Sequence, residues 1–214
     1  MGPMNCLMYL ARPLLAAFLC LGAVAQEPAR LVTKPDRVLA APCDDCMPGV
    51  INFAKVDRAL WRGAQPTAEG FKALEKAGAK TIVSFRHDHD DLDALKGTTL
   101  RYLRFPSRAW SAKKKDLLLF LKVMEDPANW PVYIHCAQGR DRTGYNAAAY
   151  RLVIQGWETE PVLQEMATFH FNKIWIANPG FLRKLDVARM REELKTLPAP
   201  KLLVASEAPS ENQR

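Results

Sequence analysis

Short apolar runs separated by polar stretches fill the middle of the chain. Residues 52–65 alternate between apolar and polar positions, as a pair of strands does. Three compact runs, TIVSFR (81–86), LRYLRFP (100–106) and PVYIHC (131–136), are typical of short buried strands. The pattern therefore predicts a sheet, and HDHDDLDALKGTT (87–99) is a polar loop within it.

Helical periodicity separates these strands. Apolar residues recur at helical spacing in residues 66–80, 112–126 and 143–155, and two more helical stretches follow around 160–169 and 179–195. Thr67 and Ser111 are placed to cap the first two helices, and Gly78 and Gly156 to end the first and third. Strands that alternate with helices predict an α/β fold, with a central, mostly parallel sheet flanked by helices.

The N-terminus has a different composition from the rest of the chain. Residues 1–25 combine Arg12, a short apolar run and the sequence Ala23-Val24-Ala25. These features indicate a secretory signal that is cleaved after Ala25, and an uncleaved membrane anchor is the alternative. We therefore expect an exported protein, periplasmic or secreted, that meets a membrane only through this segment if it is uncleaved.

Proline-containing segments border the periodic part of the chain. Residues 26–50 lack clear periodicity and are interpreted as a lead-in segment. Residues 197–214 are interpreted as a flexible tail. One domain is therefore predicted over residues 51–196.

Three cysteines remain once the signal is removed. In an oxidising compartment, Cys43 and Cys46 can close a small disulfide. The alternatives are an idle pair or half of a metal site, although no second pair of ligands is visible. Cys136 is left as the odd thiol, which suits a reactive residue that must stay reduced.

The formal net charge of +7 favours anionic partners. The sequence has no recognisable nucleic-acid motif and no repeat of aromatic and basic residues, so nucleic acid is not an expected partner. A substrate that carries phosphate fits the same charge, and a solvated basic surface is the alternative.

The segment HCAQGRDRTG, residues 135–144, joins the strand at 131–136 to the next helix. Open α/β sheets bind ligands at the carboxyl ends of their strands, and a helix N-terminus offers unpaired N–H groups and partial positive charge. A tight turn at Gly139 lets these groups surround a tetrahedral anion. The predicted phosphate-binding residues are Ala137, Gln138, Gly139, Arg140, Asp141 and Arg142.

The same segment holds the residues of a nucleophilic mechanism. Cys136 lies at the base of the loop, where the positive field favours a thiolate. The planar fork of Arg142 can hold two oxygens of one phosphate. Thr143 is expected to donate its hydroxyl to the Cys136 sulfur, and Asp141 to protonate the leaving oxygen. His135 points away and braces the loop. The alternative is a buried cysteine unrelated to a surface arginine.

Two other polar groups are weighed against this loop. HDHDD (87–91) superficially suggests a metal cluster, but we favour a solvated loop near the pocket, and we expect no metal or cofactor. Lys113 to Lys115, with Arg108 and Arg140, form either a pocket rim or a solvated surface. Trp110 either flanks a substrate ring or packs in the core.

The loop resembles the phosphate-binding signature of the cysteine-dependent tyrosine and dual-specificity phosphatases. LWRGAQPTAEGFKALEKAGAKTIVSFR (60–86) is similar to the strand-helix-strand of small bacterial and fungal-plant members. AAYRLVIQGWETEPVLQEM (148–166) is similar to two helices and a Gly-Trp turn of exported bacterial members. The resemblance implies a dual-specificity-phosphatase-like fold, phosphocysteine chemistry, Cys136 as nucleophile and Arg142 as phosphate clamp.

The chain departs from this family where a proton donor is expected. Most members place an aspartate after the strand that corresponds to residues 100–106, but SRAWSAKKKD (107–116) has none before Asp116, inside the predicted helix. Some relatives are thought to use an aspartate directly before the signature arginine, and Asp141 has that position. Asp141 is therefore our first candidate and Asp116 the second. A purely bracing role for Asp141 is the alternative.

The predicted function is hydrolysis of phosphate monoesters by a phosphatase of the tyrosine or dual-specificity type. The expected partner is a phosphorylated protein or a small phosphorylated substrate, with phosphotyrosine first. Inositol phosphates or phosphoinositides are the second substrate class, suggested by the basic rim. A phosphate-binding module without turnover is the alternative of another class.

Overall fold

The structure is a computed structural model that describes residues 37–205. The signal segment predicted over residues 1–25 lies outside this range. None of the helices in residues 37–205 is long and apolar enough to cross a membrane. The described part contains, in chain order, β1 (Ala54–Lys55), β2 (Leu60–Gly63), α1 (Ala68–Lys76), β3 (Thr81–Ser84), β4 (Arg101–Arg104), α2 (Lys114–Met124), a short 3-10 helix (Pro127–Asn129), β5 (Val132–His135), α3 (Asp141–Val153), α4 (Thr159–Thr168), α5 (Ala177–Arg183), α6 (Val187–Thr196) and β6 (Leu203–Val204).

The strands form one sheet with the order β1-β2-β5-β3-β4-β6. The four inner strands are parallel, whereas β1 and β6 run antiparallel at the two edges. This confirms the predicted mostly parallel sheet. Gly63 of β2 and Ser84 of β3 both lie opposite His135 of β5, so the carboxyl ends of the three central strands are level.

Alternate residues of each central strand enter different cores. Leu60, Val83 and Ile134 pack with helices α2, α3, α4 and α6 on one face of the sheet. Their neighbours Trp61, Ile82 and Tyr133 pack with α1 on the other face. Because side chains alternate along a strand, Cys136 shares the first face with Ile134, and His135 points to the opposite face with Tyr133.

The predicted helices are present, with corrections at their ends. Thr67 caps α1 as expected, since its side chain accepts a hydrogen bond from the Gly70 amide. Ser111 was expected to cap α2, but that helix begins at Lys114 without a side-chain cap, and Ser111 pairs with Arg108 in an isolated bridge. The helix predicted around 179–195 is wrong as a single element. It is divided into α5 and α6, because Asp186 breaks the helical backbone and caps α6.

Both ends of the predicted domain extend further than the sequence pattern indicated. Before residue 51, Met47 and Val50 are buried against the core on the α1 face, and Cys43 pairs with Phe53. Cys43 and Cys46 form a disulfide, which selects the local staple among the alternatives. In the segment predicted to be a flexible tail, β6 pairs with β4. Two paired residues are too few to produce a recognisable strand pattern in the sequence.

Candidate active site

The loop of residues 136–140 connects the end of β5 to the start of α3. Cys136 follows the last strand residue and is buried and unpaired with any other cysteine. Arg140 is the N-cap of α3 and Asp141 is the first helical residue. The loop therefore places a thiol beneath a helix N-terminus, as the sequence predicts.

Three successive carbonyl groups of the loop are tied to residues outside it. The amide of Gln65 donates to Ala137 O (3.3 Å), Asn52 Nδ2 to Gln138 O (3.0 Å) and Arg62 Nη2 to Gly139 O (2.9 Å). These donors come from the end of β2 and from the turn before β1, so they hold the outer side of the loop.

The anchored carbonyls determine where the loop amides point. In a trans peptide the C=O and the following N–H point in opposite directions. The N–H groups of Gln138, Gly139 and Arg140 therefore face away from the anchoring residues, towards the inner side of the loop. Among residues 37–205, none of these three N–H groups donates to another backbone carbonyl. Such a set of amides at a helix N-terminus is able to bind an oxyanion.

Position 139 requires glycine for two reasons, its backbone conformation and its close approach to β2. Its φ of +69° lies in the left-handed region. A Cβ atom there would lie 2.4 Å from Gly63 C and 2.5 Å from Gly63 O. The loop thus approaches the backbone of β2 so closely that no side chain fits between them.

Arg142 lies in the first turn of α3 and is held over the end of β3. Its Nη1 donates to Phe85 O at 3.3 Å. Its Nε is buried and has no hydrogen-bond partner among the described residues. One side of the guanidinium is therefore fixed by the protein, while Nε has no partner within residues 37–205; the role of phosphate clamp stays a prediction.

Thr143 does not make the hydrogen bond that the sequence suggested. Its Oγ1 is buried and has no partner within residues 37–205, so the predicted bond to the Cys136 sulfur is not formed in this structure. The backbone of α3 sets the position of Thr143, and the helix begins at Asp141, two residues earlier than predicted.

The two candidate proton donors have different surroundings. Asp141 Oδ1 accepts the backbone N–H of Asn172 at 2.8 Å, so the side chain links the start of α3 to the segment after α4. This contact corresponds to the bracing role that is the alternative to acid catalysis. Within residues 37–205, Oδ2 accepts no such bond. Asp116 lies in the first turn of α2, where burial raises its pKa although Lys113 and Lys115 lower it. Burial favours the protonated form that an acid requires.

His135 braces the loop from the opposite face of the sheet, as predicted. It is fully buried, and its Nε2 lies 3.1 Å from Asp91 Oδ2. Asp91 also accepts hydrogen bonds from Tyr102 Oη (3.1 Å) and Gln65 Nε2 (2.9 Å). Burial raises the pKa of Asp91, but His135 and the hydrogen bonds of Ser84 and Tyr102 lower it by more, so the pKa lies below its ordinary value.

Asp91 corrects the expectation that residues 87–91 form a solvated loop. His89 and Asp88 are exposed, but Asp91 is only 1% exposed. The alternation of histidine and aspartate concealed the one carboxylate that turns inward, because its partner His135 is distant in sequence.

The basic and aromatic side chains that the sequence suggested as a pocket rim do not form one cluster. The guanidinium of Arg108 lies 5.4 Å from the ring centre of Trp110, which is 52% exposed and lies 5.9 Å from Trp175. Trp110 is therefore not a core residue. Lys114, by contrast, forms an ion pair with Glu193 of α6 at 2.5 Å.

Arg62, Asn52 and Gln65 are site residues that the sequence analysis did not identify. They follow or precede short strands, and only the tertiary structure brings them to the loop. The alternating pattern of residues 52–65 predicts Arg62 at a polar, exposed position, whereas the structure buries all four positions of β2. A buried charge is rarely found without a partner.

Comparisons with known proteins define the class to which this fold and site belong. A model of the tyrosine phosphatase family matches residues 49–201. The chain therefore belongs to the tyrosine phosphatase family, within the cysteine-dependent superfamily that the loop resembles.

Individual relatives refine this assignment. Dual specificity protein phosphatase TpbA of Pseudomonas aeruginosa is 36% identical over 117 residues, which cover 54% of this chain and 53% of TpbA. The chain thus matches about half the length of that relative. A crystal structure of a TpbA variant in complex with pTyr is similar with a TM-score of 0.64 and 29% identity, over 77% of this chain and 99% of that one. An inositol diphosphatase of Arabidopsis thaliana is 26% identical over 154 residues, covering 68% of this chain and 75% of the relative.

Proposed function

We propose that the protein is a phosphatase that hydrolyses phosphate monoesters, with phosphotyrosine as the first substrate class, through a phosphocysteine intermediate. The observation that carries this proposal is the loop itself. Buried Cys136 lies at its base, three carbonyls are anchored outwards, and Nε of Arg142 has no partner within residues 37–205. This arrangement suits a nucleophile below one phosphate group with amides and a guanidinium around it.

The chemistry proceeds in two steps. The Cys136 thiolate attacks phosphorus, an S–P bond forms, and the ester P–O bond breaks as the leaving oxygen takes a proton. Water then attacks phosphorus, the S–P bond breaks, and inorganic phosphate and the thiolate are released. The loop amides and Arg142 stabilise the charge that develops on the equatorial oxygens in both steps. Asp141 is the first candidate for the proton donor and Asp116 the second.

Phosphotyrosine is favoured because the solved TpbA variant binds pTyr. Exposed Trp110 next to Arg108 also provides a flat surface beside a cation, which suits an aromatic ring near a phosphate. Inositol phosphates are the second substrate class, supported by the relationship to an inositol diphosphatase. A phosphate-binding module without turnover is the third hypothesis.

Phosphate release separates these three hypotheses. The purified protein is incubated with a phosphotyrosine peptide, a phosphoserine peptide and inositol polyphosphates, and inorganic phosphate is measured. Fastest release from the phosphotyrosine peptide supports the proposal, and fastest release from inositol polyphosphates transfers it to the second class. Binding without release from any of them supports the third.

The same substitution at an arginine of the site and at an arginine outside it provides the control for this assay. Arg142→Lys should lose most activity, because a point charge does not replace a fork that bonds two oxygens. Arg189→Lys on α6, whose arginine pairs with Glu193 outside the loop, should retain the wild-type rate.

Export is part of the same proposal. The composition of residues 1–25 and the disulfide between Cys43 and Cys46, which requires oxidising conditions, support it. The mature protein should begin at Gln26. N-terminal sequencing of protein from its native host checks this, and an intact Met1 would reject it.

A further inference from the structure

Arg62 is a buried cation directly behind the phosphate-binding loop. It is the third residue of β2 and only 1% exposed. Its Nη2 donates to Gly139 O at 2.9 Å, and its guanidinium lies 3.6 Å from the ring centre of Phe169. Nε of Arg62 is buried and has no hydrogen-bond partner within the described residues.

No carboxylate forms an ion pair with Arg62 in residues 37–205. Glu165 of α4 exerts the strongest attraction on the charge of Arg62, but both of its oxygens bind Arg151 of α3, at 3.1 and 2.6 Å. A buried charge without a counter-charge is unfavourable, and proteins rarely retain one without a function. Glu165 is thus shared with Arg151, and Arg62 has no counter-charge of its own within residues 37–205.

Cys136 is placed to be that counter-charge. Arg62 pairs with Ile134 across the sheet, and Cys136 follows Ile134 by two residues, so all three lie on the same face. We propose that Arg62 is a positioning residue whose charge stabilises the Cys136 thiolate from behind the loop, while its hydrogen bond holds Gly139 in place. Arg62 acts without touching the substrate, which lies on the inner side of the loop.

Several other charged and titratable groups surround this pair. His135, whose Nδ1 lies 3.4 Å from Cys136 O, points to the opposite face of the sheet, where it pairs with Asp91. Burial lowers the pKa of Arg62 to about 10, while Glu165, Cys136 and Tyr133 raise it and Arg151 lowers it, so the guanidinium is charged at neutral pH. Two phenols are close enough to interact electrostatically with Cys136: Tyr145 of α3, and Tyr133 on the opposite face of the sheet. Burial raises the pKa of both, so they are neutral at neutral pH. Arg142 is the second cation of the site and belongs to the loop's inner side.

The inference rests on the proposed role of Cys136 as nucleophile, but it is measurable without turnover. Iodoacetamide alkylates a thiolate and not a thiol, so the pH midpoint of alkylation of Cys136 in the full chain reports its ionisation. Arg62→Gln removes the charge and keeps a donor for Gly139 O. Arg62→Lys keeps the charge and loses the planar contact with Phe169. Circular dichroism shows whether each variant is folded.

We expect the loss of the Arg62 charge to shift the pH midpoint of Cys136 alkylation, and the loss of its hydrogen bond to Gly139 O to leave that midpoint nearly unchanged. Arg62→Gln should raise the alkylation midpoint by about one pH unit or more, which corresponds to about a tenfold loss of alkylation rate well below the midpoint. Arg62→Lys should stay within about half a unit of the wild type, even if its turnover falls.

Two results would overturn the inference. One is a folded Arg62→Gln variant with the wild-type midpoint, which would reduce Arg62 to a structural role. The other is a folded Arg62→Lys variant whose alkylation midpoint is raised by a full pH unit, because this variant keeps the charge. That result can be obtained even if Arg62→Gln does not fold. A wild-type protein that alkylates as predicted but releases no phosphate would reject the proposed function and leave the role of Arg62 intact.

Discussion

Gly139→Ala adds a methyl group where the phosphate-binding loop meets β2. The new Cβ would lie 2.4 Å from Gly63 C, whereas ordinary contact begins at 3.4 Å, so the two backbones must separate by about 1.0 Å. The backbone φ of +69° adds a conformational cost of about 1–2 kcal/mol for a residue with a side chain. The loop amides and Cys136 then move together relative to the rest of the site.

Gly97→Ala is the matched control for this change. Gly97 has a similar φ of +79°, but a Cβ added there would have no neighbouring atom within 4 Å. The Gly97→Ala variant therefore has the conformational cost without a steric clash, and its melting temperature should fall by roughly 2–8 °C. In the alanine variant of Gly139, a displacement of about 1 Å should reduce kcat/KM by about 100-fold or more.

The assay is phosphate release from an aryl phosphate, together with thermal unfolding of both variants. Both should melt lower than the wild type, and only Gly139→Ala should lose turnover. If Gly139→Ala retained kcat/KM within a few-fold of the Gly97→Ala value, the close approach between loop and β2 would not set the site, and the reasoning would be refuted.

Three further predictions concern carboxylates. Asp141→Asn should cost about 10²–10⁴-fold on a phosphoserine peptide but little on para-nitrophenyl phosphate, because only the poor leaving group needs an acid. The same pattern in Asp116→Asn would assign the donor to α2. Glu165→Gln should reduce the free energy of unfolding by about 3–5 kcal/mol, because it leaves a buried arginine without its counter-charge. The pKa of Asp91 is lower in the folded protein than in the unfolded chain, so the ionised carboxylate stabilises the fold above its ordinary pKa and this effect is lost as the pH falls through the lowered one. Asp91→Asn should therefore weaken the acid dependence of the melting temperature below about pH 4.

Each of these predictions has a control or a contrary outcome. Leaving-group dependence that is unchanged in both Asp141→Asn and Asp116→Asn would show that neither supplies the proton. Glu160→Gln, which removes an exposed partner of Arg183, should leave the melting temperature nearly unchanged. If Asp91→Asn melted with the same acid dependence as the wild type, the contact with His135 would not contribute to stability.

Local patterns in the sequence were sufficient for the parallel strands, for helices α1 to α4 and for the loop, but not for β6 or for the division between α5 and α6. The runs at 81–86, 100–106 and 131–136 each contain a strand of the structure. β3 and β5 are buried on both faces, which leaves a compact apolar stretch, whereas β4 is only partly buried and keeps two arginines. Cys136, Gly139 and Arg142 were identified together because they lie within one short segment.

Residues brought together by the sheet could not be found in this way. Arg62 and Gln65 reach the loop only because β2 lies beside β5, although β3 and β4 come between them in the chain. Asp91 is paired with His135 across 44 residues, so nothing local distinguishes it from its exposed neighbours. The segment before α2 is held by a tertiary contact, in which the Ala112 amide donates to Asn178 Oδ1 (3.0 Å). The division between α5 and α6 is local, because Asp186 caps α6 through the Arg189 amide.

The phosphocysteine intermediate is the central claim, and trapping it is the most direct test. The protein is mixed with a phosphotyrosine peptide, quenched in acid on the millisecond timescale, digested and analysed by mass spectrometry. We predict one added phosphoryl group on the peptide that contains Cys136, and neither label nor turnover in Cys136→Ser. Phosphate release by Cys136→Ser within a few-fold of the wild-type rate, or a phosphoryl group on a different residue, would contradict the account.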